Sequence, residues 1–191
     1  MVLHGIGGIG KSSIALEYSF RYSKSYTAVL WVDLTSATSL SRTARSIAEH
    51  LVAHYTGRGL SYESIASTLG LKGLLDLKGQ IATDEASELR ISGAVKEWLA
   101  AEKNEEWLLI LDNYDDVDAV DLHSILPPCS HGNVIITSQK SNLEVVGKTV
   151  VVNTINEQSG IMLLLKCANK AEVTADGMYQ RSISRHRLTS A

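Results

Sequence analysis

Cysteine and proline are nearly missing from this sequence of 191 residues, and each scarcity closes off a class of protein. Two cysteines, Cys129 and Cys167, are too few for the disulfide framework of a small secreted domain. The two prolines stand side by side at positions 127 and 128, so they can interrupt regular structure at one place only. No apolar run approaches the ~20 residues of a spanning helix, and the longest, such as Trp107 to Leu111, are strand-sized. No membrane partner is expected. Nor does a basic lead with an apolar stretch precede the first motif, and a reducing, cytoplasmic setting is the expectation. A basic excess is also lacking. With 18 Lys+Arg against 21 Asp+Glu the formal net charge is -3, which argues against a chain built to coat nucleic acid, and no specific nucleic-acid partner is expected. What is present, 45% hydrophobic and 20% charged residues, is the make-up of one ordinary domain with a single core.

Strand and helix patterns alternate along the chain. Met1 to His4 reads as the end of a buried strand running into a glycine loop, and Ser12 to Tyr22 as a helix. Ala28 to Val32 is an apolar run without alternation, the pattern of a parallel strand covered on both faces, and Asp33 ends it. Leu40, Ala44, Ile47, Leu51 and Tyr55 recur at helical spacing. Residues 57 to 79 are glycine-punctuated, with room for a short helix carrying Ile65 and Leu69. Thr83 or Asp84 can cap a helix that presents Leu89, Ile91, Val95, Trp98 and Leu99. Trp107 to Asp112 and Asn133 to Ser138 are two further strands, separated by a polar turn, a short helical stretch to Leu126 and the proline pair. Thr149 to Val152 is a weaker fifth strand, and Glu157 to Ala168 a last helix with Ile161, Leu164, Leu165 and Ala168 on one face.

This alternation predicts an α/β fold, a three-layer sandwich of the P-loop type with a mostly parallel five-stranded sheet. The core is expected over 1–152 and its C-terminal helix over 153–170. A disordered tail is expected over 171–191, where Arg181, Arg185, His186 and Arg187 gather among serines as a solvated charge run.

Function is most legible in Gly5-Ile6-Gly7-Gly8-Ile9-Gly10-Lys11-Ser12, a complete Walker A string between a strand and a helix. Polyphosphate needs several donors converging on a small concave space, and glycines let backbone N–H groups point inward unobstructed. The helix start adds free N–H groups, including that of Ser13, and the positive end of its dipole. Lys11 supplies a point charge and Ser12 a hydroxyl for Mg²⁺. A second element is Leu108 to Asp112, an apolar strand that delivers a carboxylate at its carboxyl end, where open α/β sheets bind ligands. Asp112 is thus the expected Mg²⁺ partner of Ser12. Asp115 and Asp116 in the turn beyond could supply a general base, or merely cap a helix before Val117. Cys129, His131 and His123 lie close together, but no second pair completes the four ligands of a structural zinc site. No Gly-x-Ser-x-Gly elbow is present.

These strings together resemble the NB-ARC domain: the glycine loop with His4 before it, Leu108-Leu-Ile-Leu-Asp112-Asn113 followed by Asp115-Asp116, and Asn133-Val-Ile-Ile-Thr137-Ser138. That domain is the nucleotide switch of STAND-type regulators, among them NOD-like receptor proteins, and the form here looks most like the fungal branch. The likeness covers roughly residues 1 to 166. It implies binding of ADP in a resting state and ATP in an assembled one, with Mg²⁺, and exchange that controls signalling or association with other copies or signalling domains. Thr137 and Ser138 lie where the family's sensor strand ends and join the expected nucleotide contacts. Two departures matter. Asn113 stands where many relatives have a second Asp, and an amide cannot accept a proton at neutral pH. Gln139 stands where the sensor motif usually closes with Arg, removing the cation expected to read the terminal phosphate. Hydrolysis is therefore expected to be slow or absent. An ATPase working through Asp115 or Asp116, and a shortened module that binds no nucleotide, are the alternatives. Only about four residues precede the loop, against the five to six of a typical strand. The family's flanking helical and winged-helix segments have no counterpart in the sequence, so a fragment, an incomplete product or an unusually short relative is expected.

Overall fold

All six residues of the strand Trp107–Asp112 are buried, and a strand with no exposed side has to lie within a sheet covered on both faces. The computed structural model, which describes residues 1–118 and 120–167, places it so. Its strands are β1 (Val2–His4), β2 (Ala28–Asp33), β3 (Trp107–Asp112), β4 (Asn133–Ser138) and β5 (Thr149–Val151). They form one five-stranded sheet in the order β2-β3-β4-β1-β5, with every pairing parallel. The expectation of a mostly parallel sheet is met in full. Because every strand runs the same way, all carboxyl ends share one edge, and the loops that follow β1, β3 and β4 meet there.

Successive side chains of a strand point to opposite faces, and the core divides accordingly. Leu109 and Leu111 of β3 join Val2, Val32 and Ile136 in the larger cluster. On that face lie α2 (Ala37–Gly57), α3 (Tyr62–Thr68) and α4 (Glu85–Ala100). Leu108 and Ile110 join Leu3 and Ile135 on the other face, against Ala15 of α1 (Lys11–Arg21). The result is the α/β three-layer sandwich of the P-loop type. A four-residue helix, α5 (Leu122–Ile125), follows β3, and α6 (Glu157–Cys167) belongs to a second unit that begins at Asn153. Residues 168–191 lie outside the described residues, and with them Ala168 of the expected last helix and the tail with Arg181, Arg185, His186 and Arg187. Among the described residues, no helix is long and apolar enough to cross a membrane.

Local chemistry sets the helix starts. Ser36 accepts a hydrogen bond from the Ser39 N–H, so α2 begins a turn before the apolar face that the spacing revealed. Of the two cap candidates for α4, Asp84 serves, accepting from the Ser87 N–H. Leu89 does not belong to the core-facing row of α4, as its spacing suggested, and is 81% exposed. Ile91, Val95 and Leu99 define the buried row, and Leu89 sits about 160° around the helix from Ile91. The capping considered for Asp115 and Asp116 falls to Asp121, which accepts from His123 N–H at the start of α5.

Candidate functional site

The glycine loop leaves β1 between two neighbours that hold its shape. The Gly5 N–H donates to the Ser138 carbonyl at 3.3 Å, and the Val152 N–H donates to the His4 carbonyl at 2.7 Å. A Cβ on Gly5 would stand 2.5 Å from the Val152 carbonyl oxygen, a backbone atom that cannot retreat, so only glycine fits. Further along, Gly8 and Gly10 take φ values of 75° and 100°, which turn the chain into α1. Gly10 is the N-cap of that helix, with no side chain capping it and no acid in the first turn.

A dense set of donors results. Among the described residues, the N–H groups of Ile6, Gly7, Gly8, Gly10, Lys11, Ser12 and Ser13 donate to no protein acceptor, while Ile9 makes one long contact of 3.4 Å to the Ile6 carbonyl. Lys11 is buried, and its Nζ donates to the carbonyl oxygens of Gly5 and Ile6 at 2.9 and 3.0 Å. The ammonium is therefore held against the loop itself, with two of its three donors engaged.

Asp112 ends β3 beside this loop. Its Oδ1 accepts from Ser12 Oγ at 2.7 Å and from Thr137 Oγ1 at 2.5 Å, while the Asn113 amide is 3.4 Å from Oδ2. Thr137 and Ser138 are fully buried. The Thr137 hydroxyl also accepts the Asn113 N–H at 3.0 Å, and the Ser138 hydroxyl donates to the Tyr114 carbonyl at 2.5 Å. Both side chains thus hold the turn after β3 and its carboxylates.

Asn113 bends that turn with a φ of 65°, a left-handed conformation that Asn tolerates better than most residues. The bend brings Asp115 to the end of β4, where it is clasped by Gln139. Asp115 Oδ1 accepts from the Gln139 N–H at 2.6 Å and from Ser138 Oγ at 3.1 Å, and Oδ2 accepts from Gln139 Nε2 at 2.7 Å. Burial pushes the Asp115 carboxyl up, but the donors of Gln139 and Ser138, with the Lys11 charge, outweigh it and hold the group below the usual carboxylate range. A carboxylate so held is a poor proton acceptor, which disfavours it as a general base. Because the folded pKa is depressed, the stabilisation by this clasp is full above the ordinary value of about 3.9 and fades as pH falls through the folded value. Asp115→Asn should therefore melt below the parent at pH 7, and the gap between the two curves should shrink as pH falls below the ordinary carboxylate range. A gap that stays constant on acidification would contradict the assignment.

The carboxyl edge of the sheet thus gathers the loop from Gly5 to Ser13 with Asp112, Asp115, Thr137 and Ser138. Gln139 is the site residue that sequence reasoning undervalued: read as a lost cation, it is instead a clasp that also lies on the loop, its Oε1 3.2 Å from where a Gly7 Cβ would be. Nothing in its spacing from Asp115 announced this. Cys129 and His131 do not form a zinc site: the thiol is 3.6 Å from the His131 carbonyl, and His131 Nε2 is 3.0 Å from the Leu99 carbonyl. Among the described residues, no cluster of three or more His, Cys, Asp or Glu could hold a metal.

The oxygens of Ser12 and Asp112 nevertheless fit Mg²⁺. This ion is commonly held by one or two protein oxygens, with phosphate and water completing its shell. Ser12 Oγ and Asp112 would hold it, and the ion would neutralise phosphate charge. No family model matches the chain, and no curated protein matches it.

Proposed function

We propose that this chain binds an adenine nucleotide with Mg²⁺ as a regulatory switch of the NB-ARC kind, with slow or absent hydrolysis, in the cytoplasm and in company with other copies or signalling domains. The observation that carries the reading is the set of backbone N–H groups of Ile6, Gly7, Gly8, Gly10, Lys11, Ser12 and Ser13, which among the described residues donate to no protein acceptor, joined by the Lys11 ammonium. Such donors have to be met by water or by an anion, and a helix N-terminus with this many free N–H groups favours an anion. The Ser12–Asp112 pair supplies the place for the ion that accompanies polyphosphate. Low turnover follows from the chemistry of the turn after β3, where Asn113 cannot take a proton and Asp115 is saturated with donors.

Mass spectrometry of gently purified protein tests the reading directly. A carried-over adenine nucleotide is the expected result, and calorimetric titrations that stay flat for ADP and ATP on folded protein would refute it. Asp112→Ala should abolish the dependence of affinity on Mg²⁺, so titrations with and without the ion should coincide in that variant. If Mg²⁺ still tightens binding there, Asp112 does not hold it. The same variant leaves the Ser12 and Thr137 hydroxyls without their shared acceptor, and a stability loss of about 1–3 kcal/mol is expected.

A further inference from the structure

The sheet order leaves β2 (Ala28–Asp33) at an edge, paired with β3 on one side only. The Thr27 N–H points inward to the Glu106 carbonyl, and the backbone groups of successive residues alternate between the two sides of a strand. Ala28, Leu30 and Val32 therefore turn both N–H and C=O to the outer edge. Among the described residues, nothing bonds to them there. Native edges are usually blunted by lysine, proline or a bulge. β2 has none of these: it reads Ala-Val-Leu-Trp-Val before Asp33, in unbroken register with β3. Its side chains are short of cover as well. Val29 and Trp31 share the α1 side of the sheet, but α1 packs chiefly on β3 and β4, which leaves Val29 38% exposed and Trp31 half-buried.

We infer that the outer edge of β2 pairs antiparallel with the same edge of a second copy, continuing the sheet through a twofold axis at Leu30. An open edge calls for an extended strand, because only another strand supplies donors and acceptors at matching spacing. The sequence of β2 says which strand. With Leu30 opposite Leu30 of the second copy, Ala28 falls opposite its Val32, and the outward groups of all three residues are met by about six backbone hydrogen bonds. Sliding the copies so that Ala28 meets Leu34 loses bonds, since the Leu34 N–H is already given to the Asp112 carbonyl. In the Leu30 register Val29 stands opposite Trp31 of the second copy, at the closer, non-hydrogen-bonded kind of position, and symmetry makes the contact twice. An aromatic against a β-branched residue is a favourable cross-strand pair. Charge agrees with the direction. Exposed Lys24 precedes β2 and Asp33 ends it, so antiparallel strands set the cationic end of each copy beside the acidic end of the other, where parallel ones would set like beside like. Glu106, at the Lys24 end, belongs to the β3 side. Such a pairing is isologous and closes at two copies. It needs neither the glycine loop nor a ligand, so it stands or falls apart from the nucleotide reading.

Sedimentation velocity of the full chain at rising concentration, without nucleotide, tests this. The weight-average mass should climb from one copy and level at twice that value, and hydrogen exchange at the Leu30 and Val32 amides should slow over the same range. Val29→Lys, at an exposed position, puts a charge on the pairing edge and should stay a single copy throughout with unchanged circular dichroism. A parent that remains single at the highest concentration, or that grows past two copies, overturns the inference. So does a dimer that Val29→Lys leaves intact, or one in which the Leu30 and Val32 amides exchange as fast as in the single copy, because another surface then makes it.

Discussion

Lys11→Ala should erase the rise in melting temperature that the proposed function expects ADP or ATP to give the parent protein. A ligand present at about 100 times its dissociation constant stabilises the folded state by about 2.7 kcal/mol, and a variant that cannot bind receives none of it. The expected loss is large because Lys11 has no substitute: the flanking donors are neutral amides, and the ammonium is the cation seated on the loop carbonyls of Gly5 and Ile6. Without ligand, the free protein should lose stability as well, since two hydrogen bonds from a charged donor to loop carbonyls are lost, each worth roughly 1.5–3 kcal/mol at most. Differential scanning fluorimetry with and without nucleotide separates these two effects. A ligand-induced shift in Lys11→Ala equal to that of the parent would remove the loop as the binding site.

The second large effect should appear far from the loop. Gly132 precedes β4 with a φ of 80°, and a Cβ added there would lie 2.2 Å from Cε2 of Trp107. That indole is buried, begins β3, and donates its N–H to the Leu99 carbonyl at 2.8 Å. It cannot shift without breaking this bond and moving the start of the strand that carries Asp112. Gly132→Ala combines the left-handed penalty of about 1–2 kcal/mol with the about 1–3 kcal/mol of forcing atoms into a packed core. A destabilisation of about 3 kcal/mol, or roughly 6–12 °C in melting temperature, is expected for a chain of this size. Chemical or thermal denaturation checks it. A variant that melts with the parent would mean that the contact of Gly132 with Trp107 is not as tight as the structure has it.

Much of this arrangement could be read from residue order alone, and the reasons are physical. Trp107 to Leu111 announced a central strand because burial on both faces demands an unbroken apolar run, and the structure buries each of those residues. Asp84 announced a helix start because a free N–H needs an acceptor within a few residues, a purely local matter. The loop from Gly5 to Ser12 was legible for the same reason, since its backbone conformation depends on the glycines themselves.

What escaped was long-range or rotational. Leu89 looked like a core residue because it is apolar, yet its angle on α4 turns it outward. Thr137 and Ser138 were expected at the site from the resemblance of the end of β4, but nothing in their spacing announced their bonds to the turn after β3. Their hydroxyls hold that turn, which depends on Asn113 taking a positive φ. The meeting of Asp115 with Gln139 follows from that same bend, and no periodicity encodes it.

The placement of β1 carries a consequence for how the molecule comes into being. This three-residue strand is paired to β4 and β5, which arrive more than a hundred residues later, and Ser12 meets Asp112 across a separation of 100. Loop-closure entropy makes such distant pairings late and slow events. A polypeptide still being synthesised would carry its glycine loop yet lack the walls that shape it until the segment through Gln139 had emerged. On the proposed function, nucleotide would thus be captured by finished molecules and not by nascent ones, and its presence would draw the last stage of folding to completion.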